Sequence, residues 1–497
     1  MNSSTGAITG TPQNAGQSNF TVQVTDSETP AVKATAQLSI LINPAGGGNL
    51  GLLSGNYAFY LNGFNSTTAW TLAGSFISNG NGSITSGMID YNSITGQPIN
   101  TAVTGNYSIS TTGLNLITLQ GQSWGPMTFA FVLDSTANGR MIEYDDTTGQ
   151  GSRGSGALRK ATASAFSLSA LNGSWAYGWT GADNIGEREV NVGQFTLAAG
   201  NMTNGTCDGN GGGTYYTCTF TGTVSTVNPQ TGRATVAAHT NNGSNNSALY
   251  VVSTGETVLE GIDSVPQTHN ALYAGSELRQ SGTFNNGSLN GLMVFYMQTT
   301  GGSEDDSSAA IISADGNGNA TILVLDSDNG GTITEQGPGQ FTYSVGANGA
   351  FAVFGAGNNP PAGFLISHNK AFTVSTGSNP DFTWWEPQTG GPFSNASLAG
   401  TYAVGSLVPL DYTNADNQIL AGSADGAGNF TLNGDDSGSG GLHQTLGALV
   451  TYNIASNGRG TDQPPGGEQP GVIYVISPTR AVAMDTHPDA RISIIEH

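Results

Sequence analysis

The sequence predicts an all-β chain in which one antiparallel unit of about 110 residues, a barrel or a two-sheet sandwich, is repeated four times. Three observations predict it. Only 9% of the residues are charged, and lysine stands at Lys33, Lys160 and Lys370 alone, so the usual material for long amphipathic helices is missing. Glycine accounts for 74 of the 497 residues, and Asn, Ser, Thr and β-branched residues are abundant, which favours short strands and tight turns. Four segments open alike: LSGNYAF at 53–59, LNGSWAY at 171–177, LNGLMVF at 289–295 and LAGTYAV at 398–404. Their leucines are 118, 118 and 109 residues apart, and Phe166, Phe284 and Phe393 each stand five residues before the leucine that follows.

The first 46 residues stand outside this repeat. They carry Gly6, Ile8, Gly10, Thr11, Pro12, Ala15 and Gly16, then FTVQVTDS at 20–27. This pattern resembles the closing half of bacterial putative-Ig domains. The resemblance implies a surface or secreted protein built of tandem β-domains. It also implies that the opening strands of the Ig-like sandwich come from elsewhere. The start, MNSSTGAITG, lacks the basic region and apolar core of a signal peptide, so the chain reads as a piece of a longer exported protein, or its true start lies upstream. LINPAGGGNL at 41–50 reads as a linker.

The repeats are placed at 47–163, 164–282, 283–391 and 392–497. Each opens with the shared string and continues into a glycine-marked turn: SNGNGSITSGMID at 78–90, SADGNGNATILVLD at 313–326 and SADGAGNFTLNGDD at 423–436, with a degenerate copy around 195–208. A third element is TGNYSIS, FTGTVST, FTYSVGA or VTYNIAS. A fourth is an apolar hairpin, best seen in FVLDSTANGRMIEY, whose two apolar runs flank an Asn-Gly turn. Six to eight strands per repeat follow, with no helix. The layout resembles the avidin and lipocalin type of up-and-down barrel, which also begins on a Gly-x-Trp/Tyr strand. The linkers, at 159–165, 279–288 and 386–397, are short, which implies neighbours in contact or a stiff rod.

The net charge is −22, which argues against nucleic acid and against insertion into or docking on an anionic membrane. No apolar run reaches 18 residues. Cys207 and Cys218 lie across a glycine-rich turn, a spacing that suits a hairpin disulfide and an oxidising, extracellular or cell-surface location.

The acidic turns pose a question of chemistry. Calcium needs about six to eight converging oxygens. Across the copies the glycines recur while the charge does not: Asn79 replaces Asp315 and Asp425. That pattern marks a positive-φ turn. If calcium binds, its candidates are Asp315, Asp326, Asp328, Asp425, Asp435 and Asp436. Asp90, Asp208, Asp326 and Asp436 recur by position and read as strand-capping Asx turns. The histidines, at 239, 269, 368, 443, 487 and 497, form no HExxH, and no Gly-x-Ser-x-Gly occurs, so no catalytic residue is assigned. Trp70, Trp179, Trp384 and Trp385 are candidate stacking platforms for glycans, against a plain role in cores and junctions. The expected function is a non-enzymatic extracellular structural or adhesive protein of a fibre or matrix. Its partners would be other surface proteins, or its own copies through an open Ig-like edge. The alternative is carbohydrate or small-ligand binding at aromatic surfaces or barrel mouths.

Overall fold

The computed structural model describes residues 16–28, 31–42, 48–65, 68–111, 115–122, 124–148, 151–241, 243–265, 271–299, 306–357, 359–407, 416–438, 440–464, 469–486 and 491–497. Gly6, Ile8, Gly10, Thr11, Pro12, Ala15, His269 and His487 lie outside these residues. The protein is all-β: a two-stranded ribbon, Gly16–Thr25 with Lys33–Ile42, precedes four closed antiparallel barrels. Barrel therefore wins over sandwich.

Barrels 1, 2 and 4 are plain meanders of eight strands, each bonded to the next and the last to the first. Barrel 1 runs from Ser54 to Ala161, barrel 2 from Gly173 to Arg279, barrel 3 from Asn290 to Pro387 and barrel 4 from Ala399 to Glu496. Barrel 3 closes the same ring through Asp306–Asp315 against Asn319–Asn329 and adds a short flap, Thr332–Gln336, bonded to the latter strand.

The repeated strings each have a structural job. Leu53, Leu171, Leu289 and Leu398, all at most 1% exposed, plug one end of their barrels at the close of a 3₁₀ turn. Three tyrosines of the third shared element hold that plug: Tyr107 donates to the Leu50 carbonyl, Tyr343 to Leu289 and Tyr452 to Leu398. Barrel 2 has Val224 at this register position. The turn question is answered in favour of backbone geometry. Gly80 and Gly82, Gly316 and Gly318, and Gly426 and Gly428 all have φ between 70° and 115°. The Asn79, Asp315 and Asp425 side chains each accept from two backbone amides of their own turn. Carbonyl amide and carboxylate do the same work.

The barrels do not form a rod. Barrel 1 packs on 2, 2 on 3, 3 on 4, and 4 returns to 1. The 1–2 and 3–4 contacts repeat each other: Asp90 takes a two-pronged pair from Arg233 (2.7 and 2.8 Å) and the Tyr250 hydroxyl, and Asp326 takes one from Arg459 (2.6 and 2.8 Å) and Tyr474. The 2–3 and 4–1 contacts also correspond. Gly178 and Gly405 occupy the same register position, and a Cβ there would lie 2.4 Å from Phe382 and 2.7 Å from Arg140 respectively. The Asx-turn reading of the recurrent acids is thus corrected. Asp90, Asp208 and Asp326 sit inside strands, and the barrel 4 equivalent by pairing is Asp435, which accepts from Tyr144 of barrel 1 at 3.0 Å.

Where the four barrels meet, charges from all of them interlock. Arg159 reaches Glu256 at 3.2 Å, Arg140 reaches Glu496 at 3.5 Å, and Arg480 bonds both Glu496 and Glu386. Burial pushes Glu496 up, but the summed charge of Arg140, Arg480 and Arg159 outweighs it and holds the carboxylate well below its usual range.

Candidate ligand cavity in the second barrel

An eight-stranded barrel is just wide enough either to be filled by its own side chains or to hold one small ligand. Barrel 1 is filled. Phe59, Leu61, Trp70, Leu72, Phe129 and Leu158 are all at most 1% exposed and pack into one core. Strand pairing aligns these positions with Tyr177, Trp179, Glu189, Asn191, Ser247 and Glu277 of barrel 2. Four apolar fillers, Trp70, Leu72, Phe129 and Leu158, are therefore exchanged for smaller or polar side chains. The result is a cavity of about 740 Å³, within the size range of small-molecule sites.

Its deep end is aromatic. Tyr177 meets Phe195 and Phe220 at ring-centroid distances of 6.4 and 6.0 Å, above the plug formed by Leu171 and Trp175. Towards the mouth, Trp179 stacks on Tyr273 at 4.5 Å. The mouth is framed by Asp183, Asn184, Gly211, Thr214, Gly243 and Ser244, all from turns and strand ends opposite the plug.

The polar groups in the wall are ordered by one another. The Tyr177 hydroxyl donates to Asn191, whose amide donates to the Tyr216 oxygen, and Tyr216 donates to Glu189 at 2.6 Å. Thr257 donates to Glu277 at 2.6 Å, and Ser247 bonds the Tyr273 hydroxyl. Burial pushes Glu277 up to about 7, against the pull of the Thr257 hydroxyl. Burial likewise raises Glu189, with the Tyr216 hydrogen bond opposing it. The disulfide joins Cys207 and Cys218 directly across adjacent strands, with 4.9 Å between Cα atoms, and both residues line the cavity.

Of the four tryptophans named from sequence, Trp179 alone lines this cavity. The surface-platform reading is corrected for the others. Trp70 is 1% exposed in the barrel 1 core, and Trp385 is 2% exposed in the barrel 3 core, bonded to Thr373. Trp384 stacks on Tyr296 and packs where barrel 3 meets its neighbours. Trp70 and Trp385 face inward and Trp384 faces a junction, a distinction invisible until the strands are paired.

The calcium candidates are dispersed. Asp315 and Asp425 cap their own turns, Asp326 is held by Arg459, and Asp435 by Tyr144. Asp328 is buried and pushed up to about 6 by desolvation, with the Asp485 charge adding to it. Asp436 lies in the strand Asn429–Gly438 opposite His443. Among the described residues, no three His, Cys, Asp or Glu side chains converge as a metal site.

Sequence reasoning missed Glu189, Asn191, Ser247 and Glu277. A signal for part of the set was present. Phe195 matches Phe76 in the second shared element, and stepping back four residues from each sets Asn191 against Leu72.

A family model described as Putative Ig domain matches residues 1–43. It spans the ribbon and none of the barrels. No curated protein matches the chain. A solved structure from Nostoc punctiforme, a protein of unknown function from the DUF3598 family, is 8% identical, with 47% of this chain and 99% of that one covered. Its TM-score is 0.14. A superposition that poor bears on neither activity nor ligand.

Proposed function

We propose that the chain is a non-enzymatic, exported β-scaffold whose second barrel binds a small molecule in its lumen. The carrying observation is the exchange of Trp70, Leu72, Phe129 and Leu158 for Glu189, Asn191, Ser247 and Glu277 at matched positions. Removing core side chains costs roughly 2–5 kcal/mol each, so a cavity kept at that expense is better explained by a ligand than by stability. Glu189 and Glu277 in the wall are each already engaged by a protein hydroxyl, which suits recognition more than proton transfer. A cross-strand disulfide and the Ig-like match fit an extracellular or cell-surface setting. The test is a refilled lumen. Asn191→Leu combined with Ser247→Phe is expected to abolish binding in a glycan and small-molecule screen read by tryptophan fluorescence, while preserving the melting temperature. Undiminished binding would sink the reading.

A structural or adhesive role is the second reading, and the ribbon favours it. Gly16–Thr25 and Lys33–Ile42 bond each other and, among the described residues, no further strand. Val24 and Val32 are 66% and 62% exposed. Such an edge can accept a strand from a surface or matrix protein or from another copy. Deleting residues 1–46 is expected to abolish self-association measured by sedimentation; unchanged association would count against the edge.

A further inference from the structure

We infer that the lumen of barrel 2 selects an organic cation, an amine or quaternary ammonium carried on an apolar body; the inference rests on the lumen being a ligand site. The wall supplies what such a cation needs and lacks what an anion needs. Asp183, Glu189 and Glu277 line the cavity, and among the described residues no lysine, arginine or histidine does. Among the described residues, His239 stands between the lining residues Ala238 and Thr240 but is exposed and bonds the Ser244 hydroxyl at 2.8 Å, and the nearest arginines are turned away. Arg188 lies over the ring of Phe64 in barrel 1, and Arg279 covers Trp175 at the plugged end, bonding the Asn172 and Ala170 carbonyls.

The acids occupy different depths. Asp183 sits at the rim, its carboxylate folded into its own turn by the Ile185 and Glu187 amides. Glu189 lies below it on the strand Arg188–Ala198. Glu277 is 6% exposed and borders both the main cavity and the small void beneath it. Around them stand the rings of Tyr177, Trp179, Tyr216 and Tyr273, and a cation is attracted to aromatic faces most strongly where water is excluded. Carboxylate and aromatic wall together reward charge with shape. In barrel 1 the positions of the two deeper acids hold Trp70 and Leu158, so no packing rule of the repeat demands acids there.

The test compares benzyltrimethylammonium with (2,2-dimethylpropyl)benzene, the same shape without the charge, by calorimetry and Trp179 quenching on the whole chain. The cation is expected to bind at least roughly tenfold tighter. Glu277→Gln and Glu189→Gln, which keep shape and hydrogen-bonding capacity, are expected to erase that preference, and Trp179→Ala to weaken both compounds. Melting curves of the variants confirm that they fold. Equal binding of the two compounds, or a charge preference that survives both Gln variants, would overturn the cation inference and leave the lumen as a neutral-ligand site. Failure of both compounds and of every member of a neutral glycan panel would overturn the lumen reading itself.

Discussion

Glu277 shows how much a single residue reports here. In the folded protein it keeps its proton up to about pH 7, whereas in the unfolded chain it loses it near 4.3. Between those values the folded state binds more protons, so stability falls as pH rises from roughly 4.5 to 7 and then levels off. Glu277→Gln is expected to remove that fall and to gain on the order of 3 kcal/mol above pH 7. The check is the melting temperature of both proteins across that range. The residue also shows what sequence conceals. Its neighbour in the same strand, Leu278, faces out and its counterpart Leu158 faces in, a distinction that period-2 alternation permits but cannot anchor without a register. The same limit misplaced Trp70 and Trp385, whose strings read equally well facing either way. Local chemistry was legible: Cys207 and Cys218 lie eleven positions apart across one hairpin, and a hairpin is specified by its own turn.

Elements were read well where they are self-contained. The turns at Gly80, Gly316 and Gly426 were recognisable because a positive φ leaves a glycine wherever it occurs, and internal copies averaged out the variable charge. Asp425 accepts the Ala427 and Asn429 amides and the Asn429 side chain, which holds its carboxylate at about 2. Asp425→Asn is expected to be close to neutral, as Asn79 shows in barrel 1. Asp425→Ala is expected to lower stability, by analogy with a lost cap. Urea unfolding in the presence and absence of calcium distinguishes this from a metal role, since a turn cap gives the same loss in both. The plug was not legible as a plug. The phenylalanine–leucine spacing repeated, yet the tie from Tyr452 to the Leu398 carbonyl spans 54 residues and exists only once the barrel closes.

Across the whole molecule, the contacts that shape the ring are long-range and left almost no trace in the sequence. Asp90 recurs as Asp326, but their partners Arg233 and Arg459 sit in the following barrels. These pairs are buried on the acid side, so removing the arginine strands the carboxylate, whereas Arg459 without Asp326 keeps Glu335 at 3.0 Å. Arg459→Met is expected to destabilise by roughly 3–5 kcal/mol, and Asp326→Leu with Arg459→Met to recover most of it. A double-mutant cycle in urea measures the coupling. The acid burden of the chain adds a global trend. Desolvation raises Glu143, Glu189 and Glu260, and lifts Asp435 and Asp462 to about 6. Glu386 and Glu496 are held low by arginines, so they stay ionised in this window and contribute no slope. With the net charge at −22, the protein is expected to melt at a higher temperature at pH 5.5 than at pH 8. An inverted order in calorimetry would contradict the burial of these acids. Because the 1–2 and 3–4 contacts match, and the 2–3 and 4–1 contacts match, the assembly has an approximate two-fold axis relating barrels 1 and 2 to barrels 3 and 4. Severing the linker near residue 282 therefore yields two half-molecules, each carrying both mating faces. Expressed separately and mixed, they should reconstitute the intact particle by fragment complementation, and size-exclusion chromatography would show it as a single peak at the mass of the uncut chain.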